Sequence, residues 1–195
     1  MRIVAGKWRG RTLRAPKGPS VRPTLDRVRE AVFDILGGRV AGKRVLDLFA
    51  GTGAMALEAL SRGAASAVLV EADPRVFEVL RYNVESLGAE GAEALLLDYR
   101  RATRALRVRR RRFDLVFLDP PYGRGLGAAA AEALLRAGLF APGAVVVAED
   151  AVRSPDDPFP AVWAAAADRR YGDTRIRVFD VPAGATAADP DEEIR

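Results

Sequence analysis

The regular alternation of short apolar segments with longer helical segments constrains the fold of this chain more than any other feature. Strands that alternate with helices pair in parallel, and the helices then cover both faces of the sheet. The sequence therefore predicts an α/β fold with a doubly wound, mostly parallel sheet. The predicted strands are 44–49, 67–71, 93–97, 113–118 and 144–149, and the predicted helices begin at Pro23 and span about 54–62, 74–87 and 127–137.

The two ends of the chain depart from this alternation. The first 13 residues alternate in polarity and carry turn glycines, which predicts a small β-hairpin arm. Near the other end, two short segments flank Gly172-Asp173 and predict an antiparallel hairpin that completes the sheet. The last residues are small and acidic, which is typical of a mobile tail. The predicted division is an arm and linker at 1–22, the α/β domain at 23–182 and the tail at 183–195.

The composition excludes several kinds of chemistry. The 195 residues are 49% hydrophobic, enough for one core of domain size. The chain has no cysteine and no histidine, so it lacks thiolates, the commonest metal ligand and the usual base at neutral pH. Catalysis without a metal, through carboxylates, backbone groups, aromatic rings and a bound reagent, is therefore expected. No segment reads as a signal peptide or a membrane span, which predicts a cytoplasmic protein without a membrane partner.

The loop after the first predicted strand has the features of a nucleoside site. Gly51 and Gly53 let the backbone approach a ligand closely, and the next helix points free N–H groups at it. Glu71 ends the second strand, where an acid can accept both hydroxyls of a ribose. Asp47 is placed to hold an ammonium group, and Asp98 is placed to accept from an adenine amine. The loop also fits the pattern G-x-G-x-x-A, so an NAD-dependent oxidoreductase is an alternative.

The segment Asp119-Pro120-Pro121-Tyr122 ends the fourth predicted strand, because two prolines cannot continue a sheet ladder. Ligands of open α/β sheets bind at the carboxyl ends of the strands. There the Asp119 carboxylate and the Pro120 carbonyl can accept both N–H bonds of a ring amine, while Tyr122 stacks on the base. Such a base must be flipped out of its own stack. Hydride transfer has no use for this tetrapeptide, which disfavours the oxidoreductase.

Positive charge is concentrated in two segments. Residues 1–30 carry a net charge of +7 and residues 100–112 of +8, whereas the whole chain carries only +5. Two basic segments on an otherwise acidic chain favour a nucleic-acid partner. The arginines at 107–112 precede the fourth strand, so we expect them at the edge opposite the site. Candidate nucleic-acid contacts are Lys7, Trp8, Arg9, Arg11, Arg22, Thr24 and Arg27, with packing of Trp8 on the core as an equal alternative.

Asp47-Leu-Phe-Ala-Gly51-Thr-Gly53 resembles the first motif of class I S-adenosylmethionine-dependent methyltransferases, and Asp119-Pro-Pro-Tyr122 resembles their amino-methylating motif. Residues 2–11, 22–30 and 57–63 are similar to RsmD-like enzymes, which methylate guanine N2 in 16S rRNA. The resemblance runs from Met1 to about Pro182. It implies a Rossmann-like class I methyltransferase fold.

The resemblance also implies the ligands and the roles of the site residues. The cofactor is S-adenosylmethionine, the product is S-adenosylhomocysteine and no metal takes part. The substrate is 16S rRNA. Because the short arm alone is small for the selection of one guanine, we expect the RNA to be bound within a partly or fully assembled 30S subunit, and we expect the enzyme to be a monomer. Alternatives are an adenine-N6 methyltransferase acting on DNA or RNA, and an inactive RNA-binding module. The implied catalytic residues are Asp119, Pro120 and Tyr122, and the implied cofactor-binding residues are Asp47, Phe49, Ala50, Gly51, Thr52, Gly53, Glu71, Asp98 and Tyr99.

Overall fold

In a computed structural model of the chain, which describes residues 1–15, 23–121, 125–153, 159–160 and 163–182, seven strands form one sheet. Their order across the sheet is β3-β2-β1-β4-β5-β7-β6. The strands are β1 Arg44–Asp47, β2 Ser66–Glu71, β3 Ala92–Leu96, β4 Phe113–Leu118, β5 Phe140–Ala151, β6 Ala164–Tyr171 and β7 Thr174–Asp180. The helices are α1 Pro23–Leu36, α2 Ala54–Ser61, α3 Pro74–Leu87, α4 Tyr99–Val108 and α5 Leu126–Arg136, and a 3₁₀ turn spans Gly37–Arg39.

The sheet has the topology that the sequence predicts. Strands β1 to β5 pair in parallel, while β7 pairs antiparallel with both β5 and β6. The chain order reverses beside β1, which lies between β2 and β4. A crevice forms at such a reversal beyond the carboxyl ends of the strands, and ligands of doubly wound sheets bind there. The predicted parallel sheet and C-terminal hairpin are confirmed.

Two apolar clusters lie on opposite faces of this sheet. Alternate residues of a strand point to opposite faces, so Val45, Leu115 and Phe117 join one cluster while Leu46 and Val116 join the other. The first cluster packs against the N-terminal segment, α1, α2 and α3. The second packs against α4 and α5. None of the helices in the described ranges combines the length and apolar character needed to cross a bilayer.

Helix α4 is absent from the predicted elements. It begins after β3, at the carboxyl edge of the sheet, and carries many of the arginines of the second basic segment. Only three of its side chains are buried, those of Ala102, Thr103 and Leu106. These positions share one helical face and the arginines occupy the other, an amphipathic pattern that the sequence carries and the prediction missed. The following residues 109–112 lead into β4, so this basic run lies at the amino end of that strand.

The first 15 residues pack on the domain and do not form a free arm. Ile3, Trp8 and Leu13 are buried in the first apolar cluster. The segment closes on itself through one antiparallel bridge between Arg2 and Thr12 and through backbone hydrogen bonds. The predicted N-terminal hairpin is therefore present as this antiparallel pairing, and it packs into the core of the domain instead of projecting as an arm. The domain boundaries at 22 and 182 stay predictions.

A buried acid on α2 holds this segment in place. The Glu58 carboxylate accepts hydrogen bonds from the N–H groups of Val4 and Ala5 at 2.7 and 2.9 Å. It also accepts from Arg62 Nε at 2.7 Å. Glu58 has no exposed surface, so loss of these donors would leave a buried charge without its partners. The N-terminal segment and α2 therefore form one structural unit.

Candidate active site

A cavity of about 320 Å³ opens at the carboxyl edge of the sheet, above β1, β4 and β5. Asp47, Asp119 and Glu149 supply carboxylates to its lining, and Phe49 supplies an aromatic ring. The N-terminal segment and α1 contribute the apolar side chains of Met1, Ala15, Val28 and Val32, and α1 also contributes Arg29. The cavity-lining residues that the sequence did not single out are Met1, Ala15, Val28, Arg29, Val32, Ala54, Met55, Val76 and Glu149. The cavity therefore joins the predicted cofactor loop to Asp119, the first residue of the predicted catalytic tetrapeptide.

Asp47 is buried at the bottom of this cavity, with 2% of its surface exposed. Burial is the main cause that raises the pKa of Asp47 from 3.8 to about 7, and the charge of Glu71 also raises this pKa. Hydrogen bonds from the backbone N–H groups of Ala56 and Phe49 act in the opposite direction and lower the pKa. Its Oδ2 atom has no hydrogen-bond partner among the described residues. A buried carboxylate oxygen of this kind needs a cation or a donor. The ammonium group of an amino acid fits this requirement.

Glu71 fixes the shape of the cofactor loop. Its Oε2 atom accepts from Gly51 N–H at 2.9 Å, and its Oε1 atom accepts from Asp73 N–H at 2.7 Å. Each oxygen retains further acceptor capacity, since a carboxylate can accept about four hydrogen bonds. Glu71 can therefore hold the loop and also receive the hydroxyls of a ribose.

The two loop glycines are required for different reasons. Gly51 adopts φ +53° and has open space where a side chain would begin, as expected beside a ligand cavity. Gly53 adopts φ +83°, and a Cβ there would lie 2.5 Å from Leu80 Cδ1. Gly53 thus permits close packing of the loop on α3, while Gly51 keeps the approach to the cavity open.

Asp98 and Tyr99 lie beside the cavity and do not line it. The Asp98 side chain caps α4 and accepts from the N–H groups of Arg100 and Arg101 at 3.0 and 3.1 Å. The Tyr99 ring packs against the ring of Phe49, with 5.8 Å between the centroids. The predicted contact between Asp98 and an adenine amine therefore shares its carboxylate with a helix cap and stays a prediction.

Sequence reasoning missed the role of Asn83 on α3. Its side chain is fully buried and its Nδ2 atom donates to the carbonyls of Thr52 at 2.9 Å and of Arg14 at 3.0 Å. Its Oδ1 atom accepts from Arg14 N–H at 2.8 Å. Asn83 therefore ties the cofactor loop to the N-terminal segment. The one available sequence signal was a polar residue on the apolar side of an amphipathic helix.

Asp119 follows β4 and faces the same cavity. The residue is exposed at the edge of the sheet, but its carboxylate lies among protein atoms and other acids. Desolvation raises the pKa of Asp119 well above 3.8, and the charge of Glu149 is the next cause, ahead of Asp47 and Asp150. Pro120, the next residue, is buried. Tyr122, the third predicted catalytic residue, lies outside the described residues.

The predicted RNA contacts divide into exposed and buried residues. The side chains of Lys7, Arg9, Arg11 and Arg27 are exposed. Trp8 is only 9% exposed and packs in the core, so the expectation that it contacts RNA is corrected in favour of packing. Two further candidates are not placed: Arg22 and the side chain of Thr24 lie outside what the structure describes.

Comparisons with known proteins identify a family, similar sequences and similar solved structures. A family model described as "Conserved hypothetical protein 95" matches residues 1–180. Ribosomal RNA small subunit methyltransferase D of Escherichia coli K12 is 37% identical over 179 residues, which cover 92% of this chain and 89% of that protein. The protein of the same name from Haemophilus influenzae is 31% identical, with 92% and 93% covered. The solved structure of yhhF from Escherichia coli superimposes with a TM-score of 0.83 at 35% identity and covers 94% of this chain and 98% of that one.

Proposed function

Because this chain belongs to the family of RsmD-like methyltransferases, we propose that it transfers a methyl group from S-adenosylmethionine to the exocyclic N2 amine of one guanine in 16S rRNA. The substrate is the RNA of the small ribosomal subunit, within a partly or fully assembled 30S particle. The exposed basic residues near the N-terminus support an RNA partner.

One observation carries this proposal: Asp47 and Asp119 line a single cavity. A donor whose ammonium group is held at Asp47 and an acceptor base held at Asp119 can meet in that space. Separate cavities at the two carboxylates would have excluded direct transfer. The shared cavity therefore supports in-line transfer without a covalent enzyme intermediate.

Within the cavity, the residues of the chain fit S-adenosylmethionine. Asp47 offers a buried acceptor to the ammonium group, Gly51 leaves room beside the loop, and Glu71 offers acceptors to the ribose. The donor supplies a methyl group already activated on a sulfonium, so transfer needs no redox step.

The remaining site residues activate the exocyclic amine as a nucleophile. The lone pair of an exocyclic amine is delocalised into its ring, which makes the nitrogen a poor nucleophile. In our proposal the Asp119 carboxylate and the Pro120 carbonyl accept its two N–H bonds and direct the lone pair at the methyl carbon. As the new C–N bond forms and the C–S bond breaks, Asp119 accepts the proton that nitrogen loses. A raised pKa at Asp119 favours this transfer, because it makes the carboxylate a better proton acceptor.

Asp119→Ala tests the assignment. We expect methyl transfer from radiolabelled donor to unmethylated 30S particles to fall by about 10²- to 10³-fold, because a group that acts in the transition state is lost. Binding of S-adenosylhomocysteine, measured by calorimetry, should persist and shows that the variant is folded. Undiminished transfer by the folded variant would refute the role of Asp119.

Mapping of the product separates this proposal from the alternatives. Wild-type enzyme is incubated with unmethylated 30S particles, free 16S rRNA and DNA, and the modified nucleoside is identified. N2-methylguanine supports the proposal, whereas N6-methyladenine supports the adenine-N6 alternative. Calorimetry with S-adenosylhomocysteine and with NAD tests the oxidoreductase, and absence of turnover on every substrate identifies an inactive RNA-binding module.

A further inference from the structure

Glu149 stands beside Asp119 in the sheet. Leu118 of β4 and Ala148 of β5 are paired in parallel register, so the residues that follow them lie at the same level on neighbouring strands. Neighbouring strands are about 4.8 Å apart, and residues at matching levels of a parallel pair point to the same face. Both side chains line the same cavity. After burial, the charge of Glu149 is the strongest cause of the raised pKa of Asp119, which agrees with this proximity.

The next acid along β5 is directed elsewhere. Asp150 points to the opposite face, where its Oδ2 atom accepts from Arg177 Nη2 at 2.7 Å. Arg177 in turn lies over the ring of Phe159, 4.6 Å from its centroid. Asp150 is therefore held in a buried ion pair, whereas Glu149 is the β5 acid that lines the cavity. Asp150 thus forms an ion pair on one face of the sheet, and Glu149 lines the cavity on the other.

The edge of the base that carries the amine differs among the bases. In guanine the N2 amine is adjacent to N1–H, which is a donor. In adenine the N6 amine is adjacent to N1, and in cytosine the N4 amine is adjacent to N3, and both of these ring nitrogens are acceptors. A carboxylate beside the amine therefore accepts a hydrogen bond from guanine but meets a lone pair in adenine and cytosine. Recognition of a flipped base works through this edge.

We propose that Glu149 selects guanine by accepting the hydrogen bond of its N1–H while Asp119 and the Pro120 carbonyl hold the N2 amine. Three acceptors at the ends of β4 and β5 then match the three N–H bonds along this edge of guanine. Adenine places its N1 lone pair against the Glu149 carboxylate, which then receives no hydrogen bond from the base. This inference rests on the proposed function and names the residue that sets its base specificity.

The test compares guanine with 2-aminopurine, which keeps the C2 amine but has no hydrogen on N1. Small-subunit rRNA carrying either base, or adenine, at the mapped nucleotide is reconstituted into particles and methylated by wild-type enzyme, Glu149→Gln and Glu149→Ala. Glu132→Gln on α5 is the control, because Glu132 is exposed, pairs with Arg136 and lies outside the cavity. Melting temperature and binding of S-adenosylhomocysteine report whether each variant is folded.

We expect wild-type enzyme to prefer guanine to 2-aminopurine by about 10²-fold or more in kcat/KM, because a site built around an N–H rejects an analogue that lacks it. Glu149→Gln should reduce this preference by about tenfold or more, since its amide can donate to the bare N1. Glu149→Ala should lose activity on guanine without any gain on 2-aminopurine. Glu132→Gln should keep the wild-type preference.

Two results overturn the inference and leave the proposed function intact. One is wild-type enzyme that methylates guanine and 2-aminopurine equally well, a result that needs no variant. The other is a folded Glu149→Gln enzyme with an unchanged preference. A wild-type enzyme that methylates adenine N6 and not guanine N2 overturns both the proposed function and the role of Glu149.

Discussion

Replacing Asp47 with asparagine should stabilise the free enzyme and weaken its binding of the donor. Asparagine keeps the acceptor that receives the backbone N–H groups of Phe49 and Ala56, and it removes the buried charge. Most single substitutions destabilise a protein. A variant that is more stable but binds the donor more weakly would show that the Asp47 carboxylate destabilises the free protein and stabilises the complex with a cation.

The magnitude follows from the pKa of Asp47, which burial raises from 3.8 to about 7. Between these values the native protein keeps a proton that the unfolded chain has released, so wild-type stability falls as the pH rises through this window. Above about pH 7 both states are ionised and the loss is complete. About three pKa units correspond to at most about 4 kcal/mol, and local relaxation around the charge reduces this to about 2–4 kcal/mol.

Thermal unfolding of the free enzyme at two pH values measures this effect. At pH 8 we expect Asp47→Asn to melt about 4–16 °C above wild type, whereas at pH 4 the two should differ by less than about 3 °C. Calorimetry with S-adenosylhomocysteine should show affinity reduced by about 10- to 100-fold, because one charged hydrogen bond is lost. Asp34→Asn, at an exposed position of α1, is the control and should change neither quantity.

A gain in stability that is the same at pH 4 and pH 8 would refute this reasoning, since it would have a cause other than the buried charge. A lower melting temperature of the variant at pH 8 would refute it as well.

Two further predictions concern the N-terminal segment and RNA binding. Gly6→Ala should lower the free energy of unfolding by about 2–5 kcal/mol in chemical denaturation, because its Cβ would lie 1.7 Å from the carbonyl oxygen of Ser61. Gly10→Ala is the control, because Gly10 has a similar positive φ with open space around it, and it should cost only about 1–2 kcal/mol. Equal losses of stability would contradict the close packing of the N-terminal segment on α2. In binding measured against salt, Arg9→Glu should reduce the slope of log affinity against log salt by about 1, whereas Arg107→Glu should leave it nearly unchanged; the reverse order would place the main RNA surface at the end of α4.

Much of the fold could be read from the sequence because its signals are local. Strand β4 and helix α3 have the predicted bounds, Phe113–Leu118 and Pro74–Leu87. Each is marked by residues that stop or start an element: the prolines after β4, Pro74 at the start of α3 and Gly88 at its end. Strand β5, in contrast, runs from Phe140 to Ala151 and is twice the predicted length, because its first residues pair with β4 across an irregular register that no local pattern reveals.

In the candidate site, too, residues with a local sequence signal could be predicted and residues placed by tertiary contacts could not. Asp47 and Asp119 could be predicted because each lies where a strand leads into a marked turn: the glycine loop that contains Gly51 in one case and the proline pair in the other. Asn83, Glu58 and Glu149 carry no such mark, since their positions depend on which strands and segments become neighbours in the folded chain. Asn83 and Glu58 are buried polar groups that bond backbone groups more than 30 residues away.

The tertiary contacts of the N-terminal segment bear on the proposed function. The N-terminal segment, which presents basic residues to solvent, contacts the cofactor loop both through Asn83 and through Met1, whose Sδ atom lies 3.6 Å from Thr52 Oγ1. Met1 and Ala15 also line the cavity itself. A displacement of this segment would therefore alter one wall of the cavity and remove two contacts of the loop. In our proposal, the parts of the chain that bind RNA and hold the donor are thus adjacent and linked by hydrogen bonds, so we expect a change in one to affect the other.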